Sequence, residues 1–386
     1  MKEIKLLNKI APVGLEVFDP TSYQLSAEAA DPAGILVRSA DMHSYELNPS
    51  LRAIARAGAG VNNIPLPRCT QAGIVVFNTP GGNANSVKEL TLLALLLASR
   101  DVLGGIGWVK SLAGQQDIAK QVEAGKSAFA GQELLHRSLG VVGLGAVGGA
   151  VANAGLSLGM DVVGYDPGLS IDAAWQLSRN IGHASGPEEV CRQADYISLH
   201  VPSTAQTRGM INARSLSLMK DGVRLINMAR ADLVVEEDVK QALDAGKLAC
   251  YVTDFPTDGL VGYKNVIAIP HLGASTEEAE DNCAVMAARQ LKEYLENGNI
   301  RNSVNFPDVS MPHVGEARIC ILHRNVPNML AQFSTKLGEI GINIENMLNR
   351  SRDEVAYTMI ELRDQPLASV PDALRAIEGV IRVAVY

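Results

Sequence analysis

Cysteine is sparse: five in 386 residues, Cys69, Cys191, Cys250, Cys283 and Cys320. The count is odd, the spacing is scattered, and no pair has a C-x-x-C or zinc-ligand interval. That argues against a disulfide framework and a cysteine metal centre, and no metal site is expected. Reduced thiols in a cytoplasmic protein are expected instead. Positive charge is also short. Lys and Arg number 34 against 42 Asp and Glu, a net charge of −8. This argues against a general binder of nucleic acid or of anionic membrane. Long apolar runs are missing too. The longest, Leu90 to Ala98, falls far below the roughly 20 residues that span a bilayer. Having no polar face, it reads as a helix buried in a core or a subunit interface. The opening residues MKEIKLLNKIAPVG lack the apolar centre of a secretory signal. No repeat or low-complexity tract occurs. At 47% hydrophobic and 20% charged residues the chain reads as globular, with a length for two or three domains.

What is there is organised around Ser138 to Asp166, SLGVVGLGAVGGAVANAGLSLGMDVVGYD. An apolar run to Val142 reads as a buried parallel strand. Gly143-Leu144-Gly145-Ala146-Val147-Gly148 follows at once, then a helical pattern to about Leu158, then a strand from Asp161 to Tyr165 that ends on Asp166. This is a strand–turn–helix–strand unit with G-x-G-x-x-G in the turn. Gly143 allows the tight turn, Gly145 lets a pyrophosphate reach the backbone, and Gly148 lets helix and strand pack closely. The free N–H groups of the helix start favour the phosphate. Asp166 is placed to accept from ribose hydroxyls and would repel a 2′-phosphate, so the expected cofactor is NAD.

Short strands precede and follow this unit. Ile35-Leu36-Val37 ends at Arg38-Ser39, and Ile74 to Phe77 ends at Asn78-Thr79-Pro80-Gly81-Gly82-Asn83. Between them lies the glycine-rich loop Ala57-Gly58-Ala59-Gly60. Ligands in open α/β sheets sit beyond the carboxyl ends of strands, which makes Arg38, Ser39, Gly60 and Asn83 candidate substrate groups. Downstream strands over 195–199, 222–228, 248–253 and 266–269 end at His200, Arg230, Asp254 and His271. Glu277 to Asn297 is a long helix, and 299–315 reads as a linker. Residues 316–386 show a new rhythm, βαββαβ, the ferredoxin-like arrangement.

Hydride transfer from a 2-hydroxy acid needs a cation for the carboxylate, a base for the hydroxyl proton, and a carboxylate to hold that base. Arginine's planar fork suits the first and histidine the second. Arg230 and His271, each just after a strand of the cofactor sheet, fit those roles.

Several spaced segments then carry a family resemblance. GAGVNNI from Gly58, NTPGGN from Asn78, the glycine turn, Asn227-Met228-Ala229-Arg230, and PHLGAST from Pro270 resemble the D-2-hydroxyacid dehydrogenases over nearly the first 300 residues. HLGAST with Val37-Arg38-Ser39 looks most like the phosphoglycerate dehydrogenase branch. The resemblance implies an α/β fold. A Rossmann-like NAD domain (96–276) would be inserted in a flavodoxin-like substrate domain (1–95 and 277–302), with a linker at 303–315. It further implies cofactor contacts at Thr79, Ala146, Val147, Asp166, Val201, Met228, Ala229, Asp254, Gly273 and Ala274, besides the three turn glycines. Arg38 would hold a substrate phosphate. Activity on 3-phosphoglycerate in serine biosynthesis is the expectation. Its rivals are a glyoxylate or hydroxypyruvate reductase and a non-catalytic NAD-sensing regulator.

The chain departs from the family at the carboxylate that should support the histidine. The usual glutamate of D-V-F-x-x-E-P is absent from Tyr251-Val252-Thr253-Asp254-Phe255-Pro256-Thr257-Asp258. Asp254 is the first candidate to replace it and Asp258 the second. Residues 316–386 resemble an ACT domain, a small-molecule regulatory module. That carries His323, Asn325 and Asn343 over as contacts for an effector, L-serine in this branch. Asn328 stands where the motif usually has glycine. The apolar helix and paired ACT modules together imply a homodimer or homotetramer.

Overall fold

The computed structural model describes residues 1–366 and 368–386. Two compact units result. One joins Met1–Asn83 to Glu277–Tyr386, and the other is Ala84–Thr276.

The first unit is built on β1 (Lys2–Leu6), β2 (Tyr23–Ser26), β3 (Gly34–Val37), β4 (Ala53–Arg56) and β5 (Val75–Phe77). All pair in parallel in the order β2-β1-β3-β4-β5, the flavodoxin order. β3 and β5 are buried along their whole length, as strands covered on both faces must be. The helix Glu277–Asn297 returns to this sheet and buries Ala284, Ala287, Ala288, Leu291, Tyr294 and Leu295 against it. The chain therefore leaves its first sheet and comes back to it.

The second unit holds β6 (Ser138–Val142), β7 (Asp161–Tyr165), β8 (Gly182–His183), β9 (Tyr196–Leu199), β10 (Val223–Asn227), β11 (Leu248–Thr253) and β12 (Val266–Ala268). Their order is β12-β11-β10-β9-β6-β7-β8, all parallel. It is a Rossmann sheet, and its strand order reverses at β6. The helix Ala84–Ser99 belongs to this unit, so the division falls after Asn83 rather than after residue 95. The cause is packing: Val87, Ala94, Leu95 and Ala98 share a core with Leu139, Val141, Val151 and Val252.

The C-terminal module runs β13 (Ala317–Arg324), helix Met329–Glu339, β14 (Ile344–Arg352), β15 (Val355–Leu362), helix Ser369–Arg375 and β16 (Val380–Val385). Its antiparallel order, β14-β15-β13-β16, is ferredoxin-like. Side chains alternate across it. Ile319, Ile321 and Ile360 meet the two helices through Phe333, Leu337, Val370 and Leu374. Cys320, Leu322, Tyr357 and Met359 face the other way and enter the core that contains Phe77 and Tyr294.

The expected linker is not a free tether. Ile300 and Val309 exchange two backbone hydrogen bonds, at 2.8 and 3.0 Å, and Val304 N–H donates to Val76 O at 2.9 Å. Phe306 and Val309 are buried. These apolar side chains outweigh the prolines and glycines that suggested a loose segment. Arg318, wholly buried, pairs with buried Glu361 and donates to Asn297 O and Met311 O at 2.7 and 2.8 Å. Removing one partner of such a pair costs about 3–5 kcal/mol. All five cysteines are buried and free.

Candidate active site

The glycine turn connects β6 to the helix Ala146–Ser157. Gly143 has φ of 90°, and a Cβ there would lie 2.5 Å from His200 O. At Gly148 a Cβ would meet Gly143 O at 1.8 Å. Both glycines are therefore required by the protein's own backbone. Gly145 is different: a Cβ there meets nothing within 4 Å. Its missing side chain serves no internal contact and leaves open space at a helix N-terminus, which a pyrophosphate fits. Asp166 ends β7 and accepts from Leu144 N and Gly168 N, both at 2.8 Å. Each carboxylate oxygen keeps a lone pair for ribose hydroxyls. The turn thus fits NAD. Val201 is half-buried, Met228 is buried and Ala229 half-buried at the neighbouring strand ends.

Arg230 is exposed, three residues past β10. Buried Asn227 shapes its loop. The Asn227 amide donates to Arg230 O at 2.8 Å, and its carbonyl accepts from Ala229 N and Arg230 N at 3.1 and 3.3 Å. The side chain that fixes the loop is thus the strand's own last residue.

His271 follows β12 with φ of 54°, a strained backbone for a residue other than glycine. Its exposed imidazole lies against Phe255, ring centroids 5.0 Å apart and planes at 56°. The structure corrects the role given to Asp254. That side chain is 1% exposed, and its two oxygens accept from Leu272 N and Gly273 N at 2.7 and 2.8 Å. It clamps the backbone of the histidine's loop and does not hold the ring. Asp258 is exposed, and neither it nor any other described residue hydrogen-bonds the imidazole. Gly273 O accepts from Ser86 Oγ at 2.7 Å, and Ala274 is exposed.

In the first unit, Arg38 and Ser39 follow β3. Asn8 Oδ1 accepts from three successive backbone N–H groups, those of Arg38, Ser39 and Ala40, at 3.1, 3.0 and 2.8 Å. Arg56, the last residue of β4, donates from Nε to Arg38 O at 3.0 Å and lies beside Gly58. Sequence reading missed Asn8 and Arg56. Arg56 ends a strand beside a glycine loop, a signal that could have found it; Asn8 gave none. The Arg38 guanidinium pairs with Glu280 Oε1 at 2.5 Å, both side chains 41% exposed. Gly60 and Asn83 are half-buried in this unit. Thr79 is wholly buried, and its hydroxyl accepts from Gly58 N at 2.8 Å.

The three effector candidates do not form one site within a chain. His323 is 2% exposed. Its Nδ1 pairs with Arg324 O and its Nε2 with Thr358 Oγ1, each at 2.8 Å, so no ring nitrogen is left for a ligand. Asn325 follows the end of β13 that pairs with Val355, whereas Asn343 precedes the end of β14 that pairs with Leu362. The two asparagines therefore lie at opposite ends of the sheet. Asn325 lines a cavity of about 650 Å³ with Thr70, Gln71, Arg324, Asp353 and Glu354. Among the described residues the Arg324, Asp353 and Glu354 side chains make no ion pair there.

Residues 106–273 match the family described as D-isomer specific 2-hydroxyacid dehydrogenase, NAD binding domain. The chain is 33% identical over 324 residues to a D-3-phosphoglycerate dehydrogenase of Methanocaldococcus jannaschii, covering 82% of this chain and 59% of that one. It is 32% identical over 355 residues to the Haemophilus influenzae protein of the same name, covering 88% and 82%. Thus the chain spans little more than half of one relative and most of the other. An Entamoeba histolytica 3-phosphoglycerate dehydrogenase solved with NAD+ superposes with a TM-score of 0.61 at 25% identity, over 79% of this chain and 98% of that one. With the glycine turn, the Asn227-braced arginine and the strained histidine in place, the chain belongs to the NAD-dependent D-isomer-specific 2-hydroxyacid dehydrogenases.

Proposed function

We propose that the chain oxidises D-3-phosphoglycerate to 3-phosphohydroxypyruvate with NAD, the step that feeds L-serine synthesis. Arg230 binds the substrate carboxylate through two parallel hydrogen bonds. His271 takes the hydroxyl proton as the carbon–hydrogen bond breaks, and returns it in the reverse direction. Bound NAD supplies the hydride acceptor, held by the glycine turn and Asp166. Asn227 and Asp254 keep the two catalytic loops in shape before substrate arrives, which is where much catalytic power resides. The observation that carries the choice of substrate is Arg38, its loop fixed by Asn8 and Arg56. A monocarboxylate such as glyoxylate has no group for that cation. The names of the two relatives support the same substrate.

Leu93 and Leu96 on the helix Ala84–Ser99, and Val102, Leu103, Ile106 and Val109 on the helix Val102–Ser111, are exposed. Such a patch fits a homodimer contact. Pairing of C-terminal modules would raise the number to four. That module is read as a regulatory ACT domain, with an amino acid such as L-serine as effector. The cavity at Asn325, with unpaired charges of both signs, supports a zwitterionic ligand.

Arg38→Ala tests the substrate. It is expected to raise KM for 3-phosphohydroxypyruvate by about 10- to 100-fold, the effect of losing one charge-assisted contact. Turnover of glyoxylate should stay as it was. Equal loss on both substrates would place Arg38 in the scaffold instead. L-Serine added to the wild type should slow reduction if the module is regulatory.

A further inference from the structure

We propose that Phe255, and not a carboxylate, sets the orientation of the His271 imidazole. The inference rests on His271 being the acid/base group. An imidazole on a loop has two side-chain torsions, and a base must be held within reach of its proton. A hydrogen-bonded carboxylate usually restricts them, but no carboxylate in this unit reaches the ring. Both oxygens of Asp254 are bonded to Leu272 N and Gly273 N. Asp258 is exposed, and no described residue bonds the ring.

The contact the ring does have is Phe255, at 5.0 Å between centroids and 56° between planes. The separation falls in the range of about 4.5–7 Å at which aromatic pairs attract. The backbone of Phe255 is itself held. It follows Asp254 directly, and its N–H donates to Thr253 Oγ1 at 3.1 Å. Two consecutive residues therefore hold the histidine in different ways. Asp254 fixes the backbone that directly follows it, and Phe255 restricts the ring. Packing leaves both ring nitrogens free to exchange a proton with substrate or water. Once the ring is protonated, a nearby aromatic also attracts the cation. Phe255 acts through His271 and is a positioning residue.

The test uses the full chain and NADH-dependent reduction of 3-phosphohydroxypyruvate, or of glyoxylate should the first not be turned over. That choice separates this inference from the substrate reading. Phe255→Leu is expected to lower kcat by about 10- to 100-fold, a partial loss of the roughly 10²- to 10⁴-fold that a positioned acid–base group contributes. KM for the keto acid and NADH binding by fluorescence should change less than about twofold. Phe255→Tyr should restore most of kcat. Asp258→Asn should keep kcat and the shape of its pH profile. Asp258→Asn falling as far as His271→Asn would show that a carboxylate does the work, and would overturn the proposal. So would Phe255→Leu at wild-type kcat. His271→Asn at full turnover would remove the base itself, and both readings with it.

Discussion

The Arg38 guanidinium pairs with Glu280, so on the proposal that Arg38 binds the substrate phosphate the Glu280 carboxylate is its competitor. Exposed pairs of this kind contribute about 0–1 kcal/mol. On that proposal a phosphate would displace Glu280 at small cost. Glu280→Gln should lower KM for the phosphorylated substrate by about two- to fivefold, within that range, and leave glyoxylate unchanged. Steady-state KM values check this, and a raised KM would contradict it. At this scale the sequence offers candidates where a charged or titratable residue ends a strand. Arg230 and His271 stand out because charged or titratable residues there need a reason. Asn8 and Arg56 did not stand out, because each acts through hydrogen bonds to backbone 30 and 18 residues away. Asp254 was identified as important, but its partners, two backbone N–H groups, could not be seen without the loop's path.

Among elements, the glycine turn makes the sharpest division between protein and ligand requirements. Gly148→Ala forces a Cβ to within 1.8 Å of Gly143 O and should lower the melting temperature or prevent folding. Gly145→Ala meets open space and should melt as the wild type does, yet lose NADH affinity. Thermal melts beside NADH titrations separate the two. A drop in melting temperature for Gly145→Ala would mean that its glycine is structural after all. The strands of this sheet were legible as short apolar runs. So was the C-terminal βαββαβ rhythm, because short apolar strands alternate there with helical stretches. The segment 299–315 read as a linker because its proline and glycine content speaks for a loop. Only three-dimensional packing shows Phe306 and Val309 inside the core. His323 likewise matched a ligand motif, while its ring nitrogens serve Arg324 and Thr358.

For the molecule as a whole, acid stability has an identifiable weak point. His200 bonds Ser198 at 2.8 Å, and loss of water pushes its pKa from 6.5 down to about 4. The folded state therefore keeps this histidine neutral while the unfolded chain protonates it. Its contribution is complete above pH 6.5 and is lost as pH falls toward 4, by up to about 3 kcal/mol. Urea unfolding at pH 7 and pH 5 should show the loss, and His200→Gln should reduce it. An identical acid loss in both proteins would assign it elsewhere. Assembly has its own test. Ile106, 48% exposed, lies in the apolar patch. Ile106→Glu should convert a dimer to monomers in sedimentation, and an unchanged mass would move the interface to another surface.

The most direct measurement is kcat/KM for NADH-dependent reduction of 3-phosphohydroxypyruvate beside glyoxylate and hydroxypyruvate, on one preparation. A preference for the phosphorylated substrate of about 10- to 100-fold is predicted, the scale of one well-made charged contact. Equal or faster turnover of an unphosphorylated keto acid would contradict it, and Arg38 would then need another explanation.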